Sequence, residues 1–261
     1  MTTRVPILTF HALEADRAAI AYPPRLFARL LLEIDARGYR TAPLSEIVDC
    51  LERDTPLPPR TLVLTFDDGF RSVYDVALPL LQQHGARATL FLCTGSAAPA
   101  GATELPSITG RAMLTWAQVR ELQANGFELG AHTGSHPDLT RLAPERVREE
   151  MLVSQRVIAE QTGAAASICA YPFGRWNPSV RRCVATLARA ACTTDLGLVS
   201  DRSDRYRLPR IDACYLRSER LLRLIGSSLL PLYLGLRNGP RALRQRLCGN
   251  PAADARSQGE R

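Results

Sequence analysis

Two adjacent aspartates are the strongest candidates for chemistry in this sequence. Asp67 and Asp68 follow the apolar run 62–64, which is typical of a buried strand, and they precede Gly69. Two carboxylates at the end of a buried strand are costly to desolvate, so a structural role seldom needs such a pair. A glycine turn can direct both side chains into one cleft. The pattern predicts a metal site with one Asp as ligand and its neighbour as base; the alternative is an Asp-Gly turn after an edge strand.

Two of the four histidines lie close together in a second segment, with three residues between His132 and His136. This spacing suits one ion on a helix, but Gly130 and Pro137 indicate a strand that ends in a loop. A loop can still place both imidazoles against one ion, and imidazole is the commonest neutral metal ligand. With Asp68 the pair would form a catalytic set with open positions for water and substrate. The alternative is a pair of loop histidines exposed to water.

Three short motifs resemble those of a known family. Thr-Phe-Asp-Asp-Gly at 65–69, His-Thr-Gly-Ser-His at 132–136 and Ala-Tyr-Pro-Phe-Gly at 170–174 are similar to the motifs of the NodB-homology polysaccharide deacetylases, carbohydrate esterase family 4. His11 ends an apolar run and resembles the Tyr-His start of the exopolysaccharide-type branch. The resemblance extends from about Pro6 to Asp212 and therefore covers most of the chain.

The resemblance implies a distorted (β/α)7 barrel and a metal-dependent hydrolase that removes acetyl groups from N-acetylated sugars. The substrate would be a polysaccharide or a lipid-linked saccharide. Asp67 would be the general base, and Tyr171, Pro172 and Phe173 would bind the substrate, with the Phe173 N–H holding the developing oxyanion. A divalent metal, with zinc as the expected ion, would be bound by three residues: Asp68, His132 and His136.

The sequence departs from the family pattern at two positions. Ala170 stands where the third motif usually has an Arg that pairs with the catalytic Asp, and no histidine follows His136 to supply the family's late general acid. Arg210 could orient Asp67 instead, although it could equally be a surface arginine. His11 could reach the cleft as an acid or a substrate contact, although it could equally be a core or capping histidine.

Two other functions are compatible with these departures. One is a degenerate saccharide-binding protein. The absence of the Arg and of the late His favours this alternative, whereas the retained metal-binding residues and base argue against it. The other is a metal-dependent hydrolase of a non-sugar amide, because the same chemistry permits it.

Length and composition indicate one α/β domain, since 261 residues with 46% hydrophobic content can bury a sizeable core. The seven cysteines are scattered singly, without a zinc-knuckle or redox spacing. The first residues lack an apolar signal region. These features predict a cytoplasmic protein, with the inner face of the membrane as a further expected location.

The net charge of +7 arises largely late in the chain, and we expect this region to favour anionic lipid headgroups or phosphorylated lipid carriers. No nucleic-acid-binding motif accompanies the charge, so nucleic acid is not an expected partner. The stretch 221–236 is too short and interrupted for a membrane span, but it could lie on a membrane surface or pack on the domain as a terminal helix. The late arginines are Arg217, Arg220, Arg223, Arg237, Arg241, Arg244 and Arg246.

Strand-like and helix-like segments alternate along the chain, which favours a mostly parallel sheet. All three motifs fall at the carboxyl ends of strands, where barrels and open sheets bind ligands. We expect a catalytic domain over 1–216, a basic amphipathic helical extension over 217–250 and a disordered tail over 251–261. The expected strands lie at 5–10, 62–66, 88–93, 127–130 and 167–171, and a helix is expected from 72 to 83.

Overall fold

A closed barrel of parallel strands organises the chain. The computed structural model describes residues 3–16, 18, 20–95 and 103–247, with the side chains of 239–247 left out. Within these residues, β1, β3, β4, β5, β6, β7 and β8 pair in that order and β8 returns to β1, while β2 is added beside β3. This closure confirms the distorted (β/α)7 barrel. The strands are β1 Ile7–Phe10, β2 Arg40–Thr41, β3 Thr61–Phe66, β4 Ala88–Leu92, β5 Phe127–Ala131, β6 Ile168–Ala170, β7 Ala190–Leu196 and β8 Leu208–Asp212.

Helices surround the barrel and follow the strands in the usual β-α order. They are α1 Pro24–Ala36, α2 Leu44–Glu52, α3 Leu78–Gln83, α4 Trp116–Ala124, α5 Pro144–Thr162, α6 Pro178–Ala185, α7 Glu219–Leu222 and α8 Leu230–Leu247. The expected helix 72–83 is divided, because Val73–Ala77 forms a π-helical turn before α3. Pro79 has no N–H to donate to Asp75, so the regular ladder is interrupted, and the Leu78 N–H bonds to the Val73 carbonyl instead.

Side chains alternate between the inside of the barrel and the layer under the helices. Val63 of β3 and Leu208 of β8 belong to the inner cluster, whereas Leu64 and Ile211 belong to the outer one. Because strand side chains have a period of two, Arg210 continues the inward series that Leu208 begins. This parity decides which polar residues reach the cavity at the barrel mouth.

Helix α2 closes the opposite end of the barrel. Its Leu44, Ile47 and Val48 belong to the inner cluster. The Leu44 N–H donates to the Thr89 hydroxyl at 3.1 Å, and the Ser45 N–H lies 3.2 Å from both oxygens of the Glu128 carboxylate. A carboxylate at a helix N-terminus satisfies otherwise unpaired donors and complements the helix dipole. Within the part of the chain that the structure describes, α2 therefore covers this end of the barrel, opposite the carboxyl ends of the strands.

The C-terminal segment packs on the barrel through several apolar side chains. Leu222, Ile225, Leu230 and Leu234 all belong to the outer core cluster. The domain boundary expected at 216/217 stays a prediction, and the tail 251–261 lies outside the described residues. Among the helices that the structure describes, none has the length and hydropathy that a membrane crossing requires.

Candidate metal centre and active site

Three loops at the carboxyl ends of β3, β5 and β6 converge on one site. Their main chain is unusual, because four residues other than glycine have positive φ there. They are Asp68 at 76°, Thr133 at 70°, His136 at 56° and Phe173 at 57°. Such conformations are costly for residues with a Cβ, and they cluster at sites where the surrounding structure imposes them. The conformation of these loops therefore points to a functional constraint.

Asp68, His132 and His136 form a compact cluster, with one ligand atom from each lying within 4.8 Å of the others. Asp68 Oδ1 lies 3.4 Å from His132 Nε2 and 3.5 Å from His136 Nε2. The same oxygen is buried and lacks a hydrogen-bond partner of regular geometry. A buried carboxylate oxygen facing two imidazole nitrogens suits a cation, and this donor set matches a divalent metal.

The orientation of His132 is imposed by the third motif. Its Nδ1 donates to the Ala170 carbonyl at 2.9 Å, which leaves Nε2 directed at Asp68. Metal-binding histidines commonly have such a carbonyl partner, because it selects the tautomer and holds the ring. Ala170 therefore contributes through its main chain at a position where the resemblance implies an arginine side chain.

The electrostatic field at this cluster favours positive charge. Burial lowers the pKa of His132, but the neighbouring Asp68 and Asp67 carboxylates outweigh burial and hold that pKa above its ordinary value. Burial and His132 together lower the pKa of His136 to about 4. His136 is therefore neutral near pH 7, as a metal ligand must be. A divalent cation between these groups would satisfy the charge that the two carboxylates impose.

Asp67 differs from the three residues of the cluster, because Arg210 donates hydrogen bonds to both of its carboxylate oxygens. The Oδ1 atom accepts from one guanidinium nitrogen at 2.8 Å and Oδ2 accepts from the other at 2.7 Å. Both side chains are almost fully buried, with 2% of Asp67 and 1% of Arg210 exposed. The remaining Arg210 contacts are to the Thr193 carbonyl at 2.9 Å and the Thr65 hydroxyl at 3.2 Å. From the sequence, Arg210 was expected either to orient Asp67 or to lie on the surface. The structure brings Arg210 and Asp67 into contact.

This ion pair decides the charge of Asp67. Burial raises the pKa of Asp67, but Arg210 and, to a smaller extent, His132 reverse the effect and hold the pKa well below its ordinary value. Asp67 is therefore ionised throughout the neutral range. An ionised carboxylate beside candidate metal ligands can accept a proton, because each of its two oxygens has a further lone pair besides the one that accepts from Arg210.

His11 lies beside the carboxylates at the end of β1. The Asp67 N–H donates to the Phe10 carbonyl at 2.9 Å, so the chain at Phe10–His11 runs directly along Asp67. His11 is half-buried and is among the groups whose charge lowers the pKa of Asp67 and of Asp68. The structure therefore places His11 within electrostatic reach of the site, and its chemical role stays a prediction.

The three predicted substrate contacts of the third motif differ in exposure. Tyr171 is buried in the outer core, where its hydroxyl donates to the Tyr206 carbonyl at 3.1 Å, and Pro172 is buried beside it. Phe173 is 57% exposed, and its ring centroid lies 4.6 Å from that of His136. Of these three residues, only Phe173 exposes its side chain to solvent, whereas Tyr171 and Pro172 pack in the interior below it.

Glu150 of α5 is a site residue that the sequence reading missed. Its carboxylate accepts from the Ser135 N–H and from the Ser135 hydroxyl, both at 2.7 Å, and its carbonyl accepts from the Gly134 N–H at 3.1 Å. It therefore holds the loop between the two histidines. Its place in the helical pattern could have indicated this role, because Glu150 lies on the buried face of α5 with Val147 and Met151.

Replacing Glu150 with Gln should weaken metal binding by about 10- to 100-fold, the usual effect of losing a group that orients a ligand. The amide keeps the size of the carboxylate but cannot accept from both Ser135 donors with full charge. The affinity for Zn²⁺ would be measured by competition with a chromogenic chelator. Glu149→Gln is the matched control, since Glu149 is exposed and pairs with Arg146 on the surface. Equal affinities in the two variants would contradict the positioning role.

Comparison with known proteins supports the family resemblance. The family model described as polysaccharide deacetylase matches residues 54–191. The protein YxkH of Bacillus subtilis is 26% identical over 209 residues, which cover 80% of this chain and 71% of YxkH. The chitooligosaccharide deacetylase of a Bradyrhizobium species is 34% identical over 134 residues, about half of each chain, covering 50% and 52%.

Solved structures agree with the sequence relatives. The Streptococcus pyogenes deacetylase PplD, in complex with acetate, superimposes with a TM-score of 0.76 at 27% identity, covering 87% of this chain and 99% of PplD. IcaB from Ammonifex degensii has the same fold, with a TM-score of 0.70 at 24% identity over 85% of this chain and 97% of IcaB. The chain therefore belongs to the polysaccharide deacetylase family and is a carbohydrate esterase acting on carbon–nitrogen bonds other than peptide bonds.

Proposed function

We propose that this protein is a metal-dependent hydrolase that removes acetyl groups from N-acetylated sugars of a polysaccharide or a lipid-linked saccharide. The observation that carries the proposal is the placement of an ionised, arginine-bound carboxylate next in sequence to Asp68 of a three-residue candidate metal cluster, at the carboxyl ends of the barrel strands. The relative PplD was solved with acetate, which is the acid that hydrolysis of an acetamide releases. Catalysis of this kind needs a base next to an electrophilic centre.

Asp68, His132 and His136 would hold the ion, and two imidazole nitrogens with one carboxylate oxygen favour zinc. When bound, such an ion lowers the pKa of water and polarises a carbonyl oxygen. The remaining chemistry belongs to the chain. Asp67 accepts a proton from the attacking water, whose oxygen forms a bond to the acetamide carbon. The carbon–nitrogen bond then breaks, the amine leaves with a proton, and acetate is the second product.

Arg210 and Phe173 complete this assignment. Arg210 keeps Asp67 ionised and fixes the direction of its free lone pairs, as a charged bidentate partner does. The Phe173 N–H is the proposed donor to the oxyanion, and the left-handed main chain at Phe173 sets its direction. The Phe173 ring, exposed above His136, can lie against a sugar face at the cleft entrance.

Replacing either histidine of the cluster with Ala should remove most of the bound metal, because two ligands leave an incomplete set. Elemental analysis of the purified variants measures the loss. His84→Ala is the matched control, since His84 lies outside the cluster and contacts Asp35. Full metal occupancy in both His132→Ala and His136→Ala would refute the assignment.

Asp67→Asn should lower kcat by about 100-fold or more while metal content hardly changes, because the amide cannot accept the proton. Thermal unfolding would be measured in parallel, since Arg210 loses its charged partner. If the variant lost its metal while the metal-loaded fraction kept full activity, the roles of Asp67 and Asp68 would be exchanged.

Arg210→Met should shift the pH dependence of the reaction. Arg210 holds the pKa of Asp67 down, and burial without it raises that pKa. A base must be ionised, so activity disappears as pH falls through its pKa. The acidic limb of the kcat/KM profile should therefore move to higher pH in Arg210→Met and move less in Arg210→Lys, which keeps the charge. An unchanged limb in Arg210→Met would exclude this role.

His11 is proposed to protonate the leaving amine in place of the family's late histidine. A general acid acts in the transition state, so His11→Ala should lower kcat more than it raises KM, and the alkaline limb of the profile should weaken. His11→Gln retains polarity without acid function and should behave like the Ala variant. Wild-type kcat in His11→Gln would assign the proton to solvent or another group.

Deacetylation assays separate this proposal from the two alternatives. Acetate release would be followed on chitin oligomers, peptidoglycan fragments and small amides, with and without a chelator. We expect chelator-sensitive release from the saccharides. Saccharide binding without acetate release would favour a degenerate binding protein, and release only from small amides would favour a non-sugar amidohydrolase.

A further inference from the structure

Helix α8 presents an apolar face to solvent. Leu229, just before the helix, and Leu232 and Leu236 within it are 56%, 62% and 71% exposed. Among the described residues, six large apolar side chains are exposed, and these three fall within eight positions. Spacings of three and four residues put them on one side of a helix. In the sequence, Leu243 and Leu247 continue this spacing.

The opposite face fixes the helix to the domain. Leu230 and Leu234 are buried in the outer core. The Tyr233 hydroxyl donates to the Tyr215 carbonyl at 2.6 Å, and the Asn238 side-chain amide donates to the Leu196 carbonyl at 2.7 Å. The leucine face therefore has a defined direction, away from the barrel.

Arginines are concentrated in the sequence of this segment. The segment 220–253 contains six arginines and no acidic residue. Arg220 and Arg223 of the preceding turn are exposed. Arg237 of α8 is exposed, and its guanidinium lies 5.4 Å from the centroid of the Tyr233 ring. An apolar stripe flanked by arginines is the composition of a helix that lies in a membrane interface.

We propose that α8 docks the protein peripherally on an anionic lipid surface, with Leu229, Leu232 and Leu236 entering the headgroup boundary and the arginines contacting lipid phosphates. This goes beyond the proposed chemistry and does not depend on it. Charge selects this occupant over a second copy of the chain, because a symmetric pairing of the face would bring two arginine-rich segments together.

The test is sedimentation of the full chain with vesicles of phosphatidylcholine alone or with about one third phosphatidylglycerol. We expect binding to the anionic vesicles, weakened at high salt because charge contributes. The double variant L232S/L236S should lower the partition constant at least about tenfold, since it removes two leucines that would be buried in the membrane on docking. The matched control is L32S/L152S, which changes two exposed leucines on α1 and α5 and should bind like wild type.

Several results would overturn the proposal. They are failure of the wild type to sediment with anionic vesicles, equal binding to neutral vesicles, and equal binding by L232S/L236S. Light scattering after gel filtration adds a further arm, because a wild-type dimer that dissociates in L232S/L236S would identify the face as an interface between copies. Acetate release from a soluble oligosaccharide reports on the active site separately, so failure of docking and failure of the proposed chemistry are distinguishable.

Discussion

The site depends on one buried ion pair, between Asp67 after β3 and Arg210 on β8. Each group would be strongly destabilising in this position alone, because a buried unpaired charge costs about 3–5 kcal/mol. Two hydrogen bonds join them, and the guanidinium donates two more, to Thr193 and Thr65. The pair forms only because β1 hydrogen-bonds to both β3 and β8 and so closes the barrel. The same closure brings His11 alongside Asp67.

The arginine reaches Asp67 from a different strand than the family resemblance implies. Ala170 of β6 and Arg210 of β8 belong to the inward-facing series of their strands, so a side chain from either strand is directed into the barrel. The Ala170 main chain meanwhile holds His132 through its carbonyl. Position 170 therefore orients His132 of the candidate metal cluster through its main chain.

The departures from the family pattern have a common location. Residues 54–191 match the family model, and they contain Asp67, Asp68 and both histidines of the cluster. His11, Arg210 and helix α8 all lie outside that range. The matched region thus contains Asp67 and the candidate metal cluster, while β8 supplies Arg210, the partner of Asp67, and the terminal helix supplies an exposed apolar face.

Local patterns in the sequence determined much of the fold and the ligands of the site. Apolar runs located β1, β3, β4, β5 and β6, and the capping box of α4, formed by Thr115 and Gln118, is likewise a local sequence pattern. Strands β2, β7 and β8 were not recognised. Strand β2 has only two residues, β7 has three polar residues before Leu196, and β8 contains Pro209, which usually argues against a strand. The three residues of the candidate metal cluster could be recognised from the sequence because each motif is contiguous. Tertiary structure decided the Asp67–Arg210 pair and the contacts of Glu150 with the loop between His132 and His136. Asp67 and Arg210 are 143 positions apart, so the barrel must close before they meet.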